Sequence, residues 1–155
     1  MVGGGGSSGG RNADPILFRD IMEVKKLGEK KFDRVTRVEG KLEGTEYEVI
    51  LDVNTEVYPV EYRKYTFVLL NTLNPDGSVD PNESWVPRAG PSLADQYEYV
   101  MHGKVFKHEA DKSREGRVSM FISFGGLMLK LVGESRSLKE IRLDKRVYLG
   151  LKLLK

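Results

Sequence analysis

The stretch Val118-Ser119-Met120-Phe121-Ile122-Ser123-Phe124-Gly125-Gly126-Leu127-Met128-Leu129-Lys130-Leu131-Val132 restricts the possible folds more than any other part of the chain. Two apolar-rich runs flank a Gly-Gly pair. A two-residue hairpin turn of this kind needs positive φ at its centre, which glycine supplies without a Cβ clash. With Phe124 opposite Leu127, one face carries Val118, Met120, Ile122, Phe124, Leu127, Leu129 and Leu131, and the other carries Ser119, Phe121, Ser123, Met128 and Lys130. A slip of one residue would turn the apolar set to the wrong side. The pattern therefore predicts an antiparallel, half-buried hairpin, and it contains no reactive centre.

The rest of the composition fits such a sheet. A chain of 155 residues is long enough for one domain with a real core. Its 39% hydrophobic and 31% charged residues are ordinary for a globular protein. A net charge of +2 is not the strongly basic footprint of a nucleic-acid-binding domain, so any such role needs local clustering of the 25 Lys and Arg residues. The chain has no cysteine, which removes disulfides, thiolate metal sites and cysteine nucleophiles and fits a reducing compartment. No apolar run approaches the ~20 residues of a membrane-spanning helix, and the Gly/Ser-rich start lacks the apolar core of a signal peptide. The expectation is an intracellular soluble protein without a membrane partner.

Along the chain, residues 1–13 read as a flexible Gly/Ser-rich tail and residues 14–155 as the folded domain. Residues 16–18 are ambiguous between a helical turn and a strand, and a strand is expected over about residues 20–26 and again over 32–39. Tyr47, Val49, Leu51 and Val53 alternate with Glu46, Glu48, Asp52 and Asn54, the pattern of a half-buried strand, and only Ile50 breaks the polar side. Tyr65, Phe67 and Leu69 alternate next. Asn74-Pro75-Asp76-Gly77 is a turn signature that opens a long loop extending to Pro91. Ser92 caps one helical turn over residues 93–96, with Asp95 at capping-box spacing. Residues 96–108 read as a long strand with Tyr97, Tyr99, Met101 and Val105 on one face and Gly103 at a bulge or bend. A charged turn (111–116), the Gly-Gly hairpin, a loop or short helical turn (135–142) and a last strand with Val147, Leu149, Leu151 and Leu153 complete the chain. About eight short strands without a long amphipathic helix predict a closed or nearly closed antiparallel barrel or sandwich.

Several blocks also carry a resemblance. They are Leu17-Phe18-Arg19-Asp20-Ile21-Met22-Glu23-Val24, Lys31-Phe32-Asp33-Arg34-Val35-Thr36-Arg37 and Leu51-Asp52-Val53-Asn54-Thr55-Glu56-Val57-Tyr58-Pro59, then Leu93-Ala94-Asp95-Gln96-Tyr97-Glu98-Tyr99-Val100-Met101-His102-Gly103-Lys104-Val105, Ser123-Phe124-Gly125-Gly126-Leu127-Met128 and Asp144-Lys145-Arg146-Val147-Tyr148-Leu149. In order, from about Leu17 to the C-terminus, they resemble the small common subunit shared by eukaryotic RNA polymerases I, II and III. The resemblance implies an all-β fold, an eight- or nine-stranded antiparallel barrel of the oligonucleotide/oligosaccharide-binding (OB) type. It implies a non-catalytic subunit, without cofactors, that docks mainly on the largest polymerase subunit in the nucleus, nucleolus included. It also implies a non-specific single-stranded nucleic-acid contact, which maps here onto about residues 28–51. The Gly/Ser tail and the basic cluster Lys25, Lys26, Lys30 and Lys31 depart from the family pattern.

The candidate site residues follow. The basic run Lys25, Lys26, Lys30, Lys31, Arg34, Arg37 and Lys41, with Lys30, Lys31, Arg34 and Arg37 as its site candidates, is able to follow a phosphate backbone, but Glu29, Asp33 and Glu39 dilute the field, and an OB surface pairs such charge with aromatic platforms where only Phe32 is near. A solvated strand face is the simpler account of the same residues. Phe121 and Met128, on the second face of the hairpin, and the amphipathic Tyr97 and Tyr99 suit either a partner interface or cover by the domain itself. His102 and His108, with Lys104 and Phe106 on one strand face, lack converging metal ligands. The acidic pairs sit in turns or caps, and Gly125-Gly126 opens no helix that would cradle phosphate. No catalytic or metal residue is expected. The leading expectation is a polymerase subunit acting by surface complementarity, and the alternative is a free-standing single-stranded nucleic-acid-binding OB module.

Overall fold

The structure, a computed structural model, describes residues 14–32, 34–78 and 91–155, with backbone only at 29–32. The expected tail, the distal part of the loop after Gly77 and the side chains of Lys30, Lys31 and Phe32 lie outside the described residues. Eight strands form one closed antiparallel barrel: β1 (Ile16–Phe32), β2 (Val35–Leu42), β3 (Glu48–Asn54), β4 (Lys64–Leu70), β5 (Tyr99–Ala110), β6 (Arg117–Phe124), β7 (Leu127–Glu134) and β8 (Arg146–Leu153). Their order around the wall is β1-β2-β3-β7-β6-β5-β8-β4, with β4 returning to β1. A 3-10 turn (Leu93–Gln96) and a short helix α1 (Ser135–Leu138) are the only described helical pieces. This is the all-β barrel that the alternating segments predict.

The Gly-Gly hairpin sets β6 against β7 in the expected register, with Phe124 opposite Leu127 and Ile122 opposite Leu129. Gly125 and Gly126 have φ of 62° and 99°, the left-handed geometry the turn demands. Met120, Ile122, Leu129 and Leu131 are fully buried and join Leu51, Phe67, Leu149 and Leu151 in one core inside the barrel. Sequestering each such side chain contributes roughly 1.5–3 kcal/mol.

Two expectations need correction. β1 begins at Ile16 rather than near Asp20, because one strand serves two neighbours: residues 16–23 pair with β4 and residues 22–32 with β2. Phe18 secures this early stretch, stacked on Tyr47 at 5.9 Å and edge-on to Phe67 at 6.1 Å. Gly103 is not a bulge: its pairing with β8 runs unbroken, and the register break lies between Val105 and Lys107, at Phe106. Glycine is required at 103 by close approach, since a Cβ there would sit 2.3 Å from the Ser123 carbonyl oxygen.

The barrel closes across its shortest ladder, four residue pairs between β3 and β7 that end at Leu51 opposite Leu129. Beyond that point a side chain continues the seam. Asp52, 4% exposed, accepts from the Met128 backbone N–H at 3.1 Å. Its carboxylate also accepts from Arg37 Nε at 2.8 Å and Nη2 at 3.1 Å, across the β2–β3 pairing. A buried carboxylate is tolerated only when its lone pairs are met in this way. A second carboxylate clasps the β2–β3 turn to β1. Asp20 accepts from the Ile21, Gly44 and Thr45 N–H groups and the Thr45 hydroxyl at 2.7 to 2.9 Å. Burial alone would raise its carboxyl, but these bonds outweigh burial and hold it below the usual aspartate range.

Changes at three residues test this packing. Ile122→Asp places an unpaired charge in the core and should abolish cooperative thermal unfolding, whereas Ile122→Ala should cost about 2–5 kcal/mol. Asp52→Ala strands Arg37 and the Met128 N–H and should destabilise by about 3 kcal/mol, the low end for a broken buried pair because Arg37 keeps contact with water. The lowered pKa of Asp20 gives stability that is present above the unfolded-state pKa and lost as pH falls through the lower folded-state value. Asp20→Asn should therefore melt below wild type at pH 7, with the gap closing under acid titration; a gap independent of pH would contradict the clasp.

Candidate docking wall and basic strand

Of the four basic candidates, the side chains of Lys30 and Lys31 lie outside the described residues. Arg37 is committed to Asp52, and Arg34 is exposed and 3.4 Å from Glu56. The two described arginines thus each face an acid of their own domain, and they do not converge on a common track.

Phe121 and Met128 are diagonal neighbours on the outer face of the β6–β7 hairpin, since Phe121 pairs with Lys130 and Ser123 with Met128. Both are half-buried. The Phe121 ring lies 6.1 Å from Phe106, and the Lys107 and Lys130 ammonium groups lie 5.4 and 5.8 Å from its centroid. Phe106 itself is 45% exposed because the β5 bulge turns it outward.

Tyr97 and Tyr99 go elsewhere. Tyr97 lies across Gly150 on β8, where a Cβ would meet its Cγ at 2.8 Å and Val68 at 2.9 Å. It lines a cleft of about 520 Å³ with Arg19, Lys152 and Lys155. Tyr99 is 8% exposed, stacked on Tyr58 at 5.3 Å, and its hydroxyl accepts from the Asn54 N–H at 3.3 Å. It packs with the core and presents almost no surface.

The two histidines do not share a face. His102 pairs with Tyr148, 4.5 Å from its ring, and burial, helped by Arg146, holds its pKa below the usual range. The bulge at Phe106 shifts the alternation, so His108 pairs with inward-facing Met120 and its Nε2 is buried without a partner among the described residues. Among the described residues no three His, Asp or Glu side chains converge to hold a metal ion.

Sequence reasoning missed a groove of about 560 Å³ on the outer wall of β2, β3 and β7. Lys25, Lys41, Arg114, Arg117 and Lys130 line it together with Glu39, Glu46, Glu48, Ile50 and Val132. Arg117 lays its guanidinium over the Tyr47 ring at 5.6 Å, with its Nε buried and without a partner among the described residues. The advance signals were Lys25 and Lys41 of the basic run and Ile50, the apolar residue on the polar side of β3.

Comparison with known proteins places these walls in a family. The RNA polymerase Rpb8 family profile matches residues 19–153. Subunit rpabc3 of DNA-directed RNA polymerases I, II and III from Dictyostelium discoideum is 45% identical over 139 residues, covering 88% of this chain and 96% of that protein. Subunit 8B of DNA-directed RNA polymerases II, IV and V from Arabidopsis thaliana is 42% identical over 142 residues, covering 90% and 97%. Subunit RPABC3 of polymerases I, II and III from Saccharomyces cerevisiae is 32% identical over 134 residues, covering 81% and 90%. With a profile matched across nearly the whole barrel and relatives aligned over nearly their full lengths, the chain belongs to the RNA polymerase Rpb8 family.

Proposed function

We propose that this chain is a non-catalytic structural subunit common to nuclear DNA-directed RNA polymerases I, II and III, stabilising the largest subunit and acting in the nucleus and nucleolus. The observation that carries the reading is the near end-to-end alignment with relatives named as shared polymerase subunits. The fold supports it physically. A barrel filled by its own side chains offers its outer surface for work, and surface complementarity is what a scaffolding subunit uses. On this reading Phe121 and Met128 belong to the contact face, and Tyr97 marks a second one.

The second reading, a free-standing single-stranded nucleic-acid-binding module, rests on Lys30, Lys31, Arg34 and Arg37. It is weakened by the pairing of Arg34 with Glu56 and of Arg37 with Asp52.

A tagged copy expressed in nucleated cells should co-purify with the largest subunits of all three polymerases after exhaustive nuclease digestion. Loss of those subunits on digestion, together with salt-dependent oligonucleotide binding by the isolated chain that disappears when the four basic residues are neutralised, would favour the second reading.

A further inference from the structure

The strand registers assemble an ordered row across the outer wall: Lys107 opposite Phe121, Phe121 opposite Lys130, Lys130 opposite Ile50, and Ile50 opposite Glu39. The flanking row places Val132 opposite Glu48 and Glu48 opposite Lys41. Phe121 with Met128 and Ile50 with Val132 are half-buried, outward-facing apolar pairs on either side of Lys130, together a strip interrupted by that lysine.

The charges around this strip are uneven in their pairing. Lys25 meets Glu23 at 3.1 Å and Lys107 meets Glu109 at 3.0 Å. Lys41, Arg117 and Lys130, which line the groove, form no ion pair among the described residues. Among the described residues Lys130 has only the Phe121 ring, and Arg117 is braced on Tyr47 with no acceptor for its Nε–H. A guanidinium held in place over an aromatic ring is matched by a carboxylate that meets its outward terminal N–H groups.

We infer that the outer wall of β2, β3, β7 and β6 seats an acidic polypeptide segment of a partner protein, its apolar side chains on Phe121, Ile50, Val132 and Met128 and its carboxylates on Arg117, Lys130 and Lys41. This rests on the polymerase-subunit reading and assigns the face and the partner's chemistry within it. A nucleic-acid strand fits the wall less well. Glu39, Glu46 and Glu48 share the groove and repel a continuous row of phosphates, whereas carboxylates on a peptide can be spaced to avoid them. The apolar strip also matches aliphatic and aromatic side chains, which typically form the centre of a protein interface.

The experiment is competitive incorporation. Full-length wild type and a differently tagged variant are co-expressed, polymerase is purified through its largest subunit after nuclease treatment, and the ratio of the two tags is read. Lys130→Glu and Phe121→Ser should each fall at least about tenfold, the scale of an interface contact worth ~1.4 kcal/mol. Lys130→Arg should keep wild-type incorporation, and so should Arg63→Glu, a charge reversal at an exposed residue that lines neither cleft. Melting temperatures of the free variants separate folding from docking. If Phe121→Ser unfolds the chain, Lys130→Glu decides alone. Wild type incorporated with Lys130→Glu equal to it overturns this face and leaves the polymerase reading standing. Wild type absent from every polymerase overturns both. Lys130→Glu that abolishes binding of a 20-nucleotide single-stranded oligonucleotide while incorporation is unchanged makes the groove a nucleic-acid track and overturns the inference.

Discussion

The architecture depends on closing the wall between β3 and β7. Every other neighbouring pair shares at least six registered positions, and this one shares four before the strands part at Leu51 and Leu129. An open seam would expose backbone groups and the apolar interior together, and both are costly. Asp52 bridges the gap by accepting the Met128 N–H, and Arg37 makes its buried charge tolerable. Three strands, β2, β3 and β7, are thereby tied through one carboxylate.

That arrangement has a functional cost and a functional benefit. Arg37 is removed from the set of cations available to an external anion, so the basic strand presents less charge than its composition implies. In exchange, the seam fixes the outer surface of the hairpin rigidly next to β3. Met128 donates its backbone N–H to Asp52 while its side chain lies beside Phe121 on the outer face, so the closure of the barrel and the geometry of the apolar strip share a residue. Pre-organisation of this kind lowers the ordering entropy of an interface.

The sequence was most legible where geometry leaves one solution. Gly125-Gly126 set the hairpin, and the alternation of Tyr47, Val49, Leu51 and Val53 set β3, because a period of two is hard to produce otherwise. It was least legible where strands bend. β1 serves two partners with three register breaks against β2, so its apolar residues keep no single period and its start was placed late. The bulge at Phe106 inverted the facing of His108, which simple alternation had set beside His102. Asp52 read as an ordinary polar-side residue, since nothing in its neighbours announces a ladder ending beside it. Of the candidate interface residues, Phe121 and Met128 lie together as the hairpin pattern implied. Tyr97 and Tyr99 alternate on paper but separate in space, because the 3-10 turn ends at Gln96 and the strand begins only at Tyr99.

Amide hydrogen exchange at Met128 tests the central claim most directly. With Asp52 completing the seam, the Met128 N–H should exchange as slowly as the ladder amide of Leu129 and far more slowly than those of Gly125 and Gly126 at the turn. Exchange at the rate of the turn glycines in the folded wild-type protein would mean that the wall is open at this point and that the account of its closure is wrong.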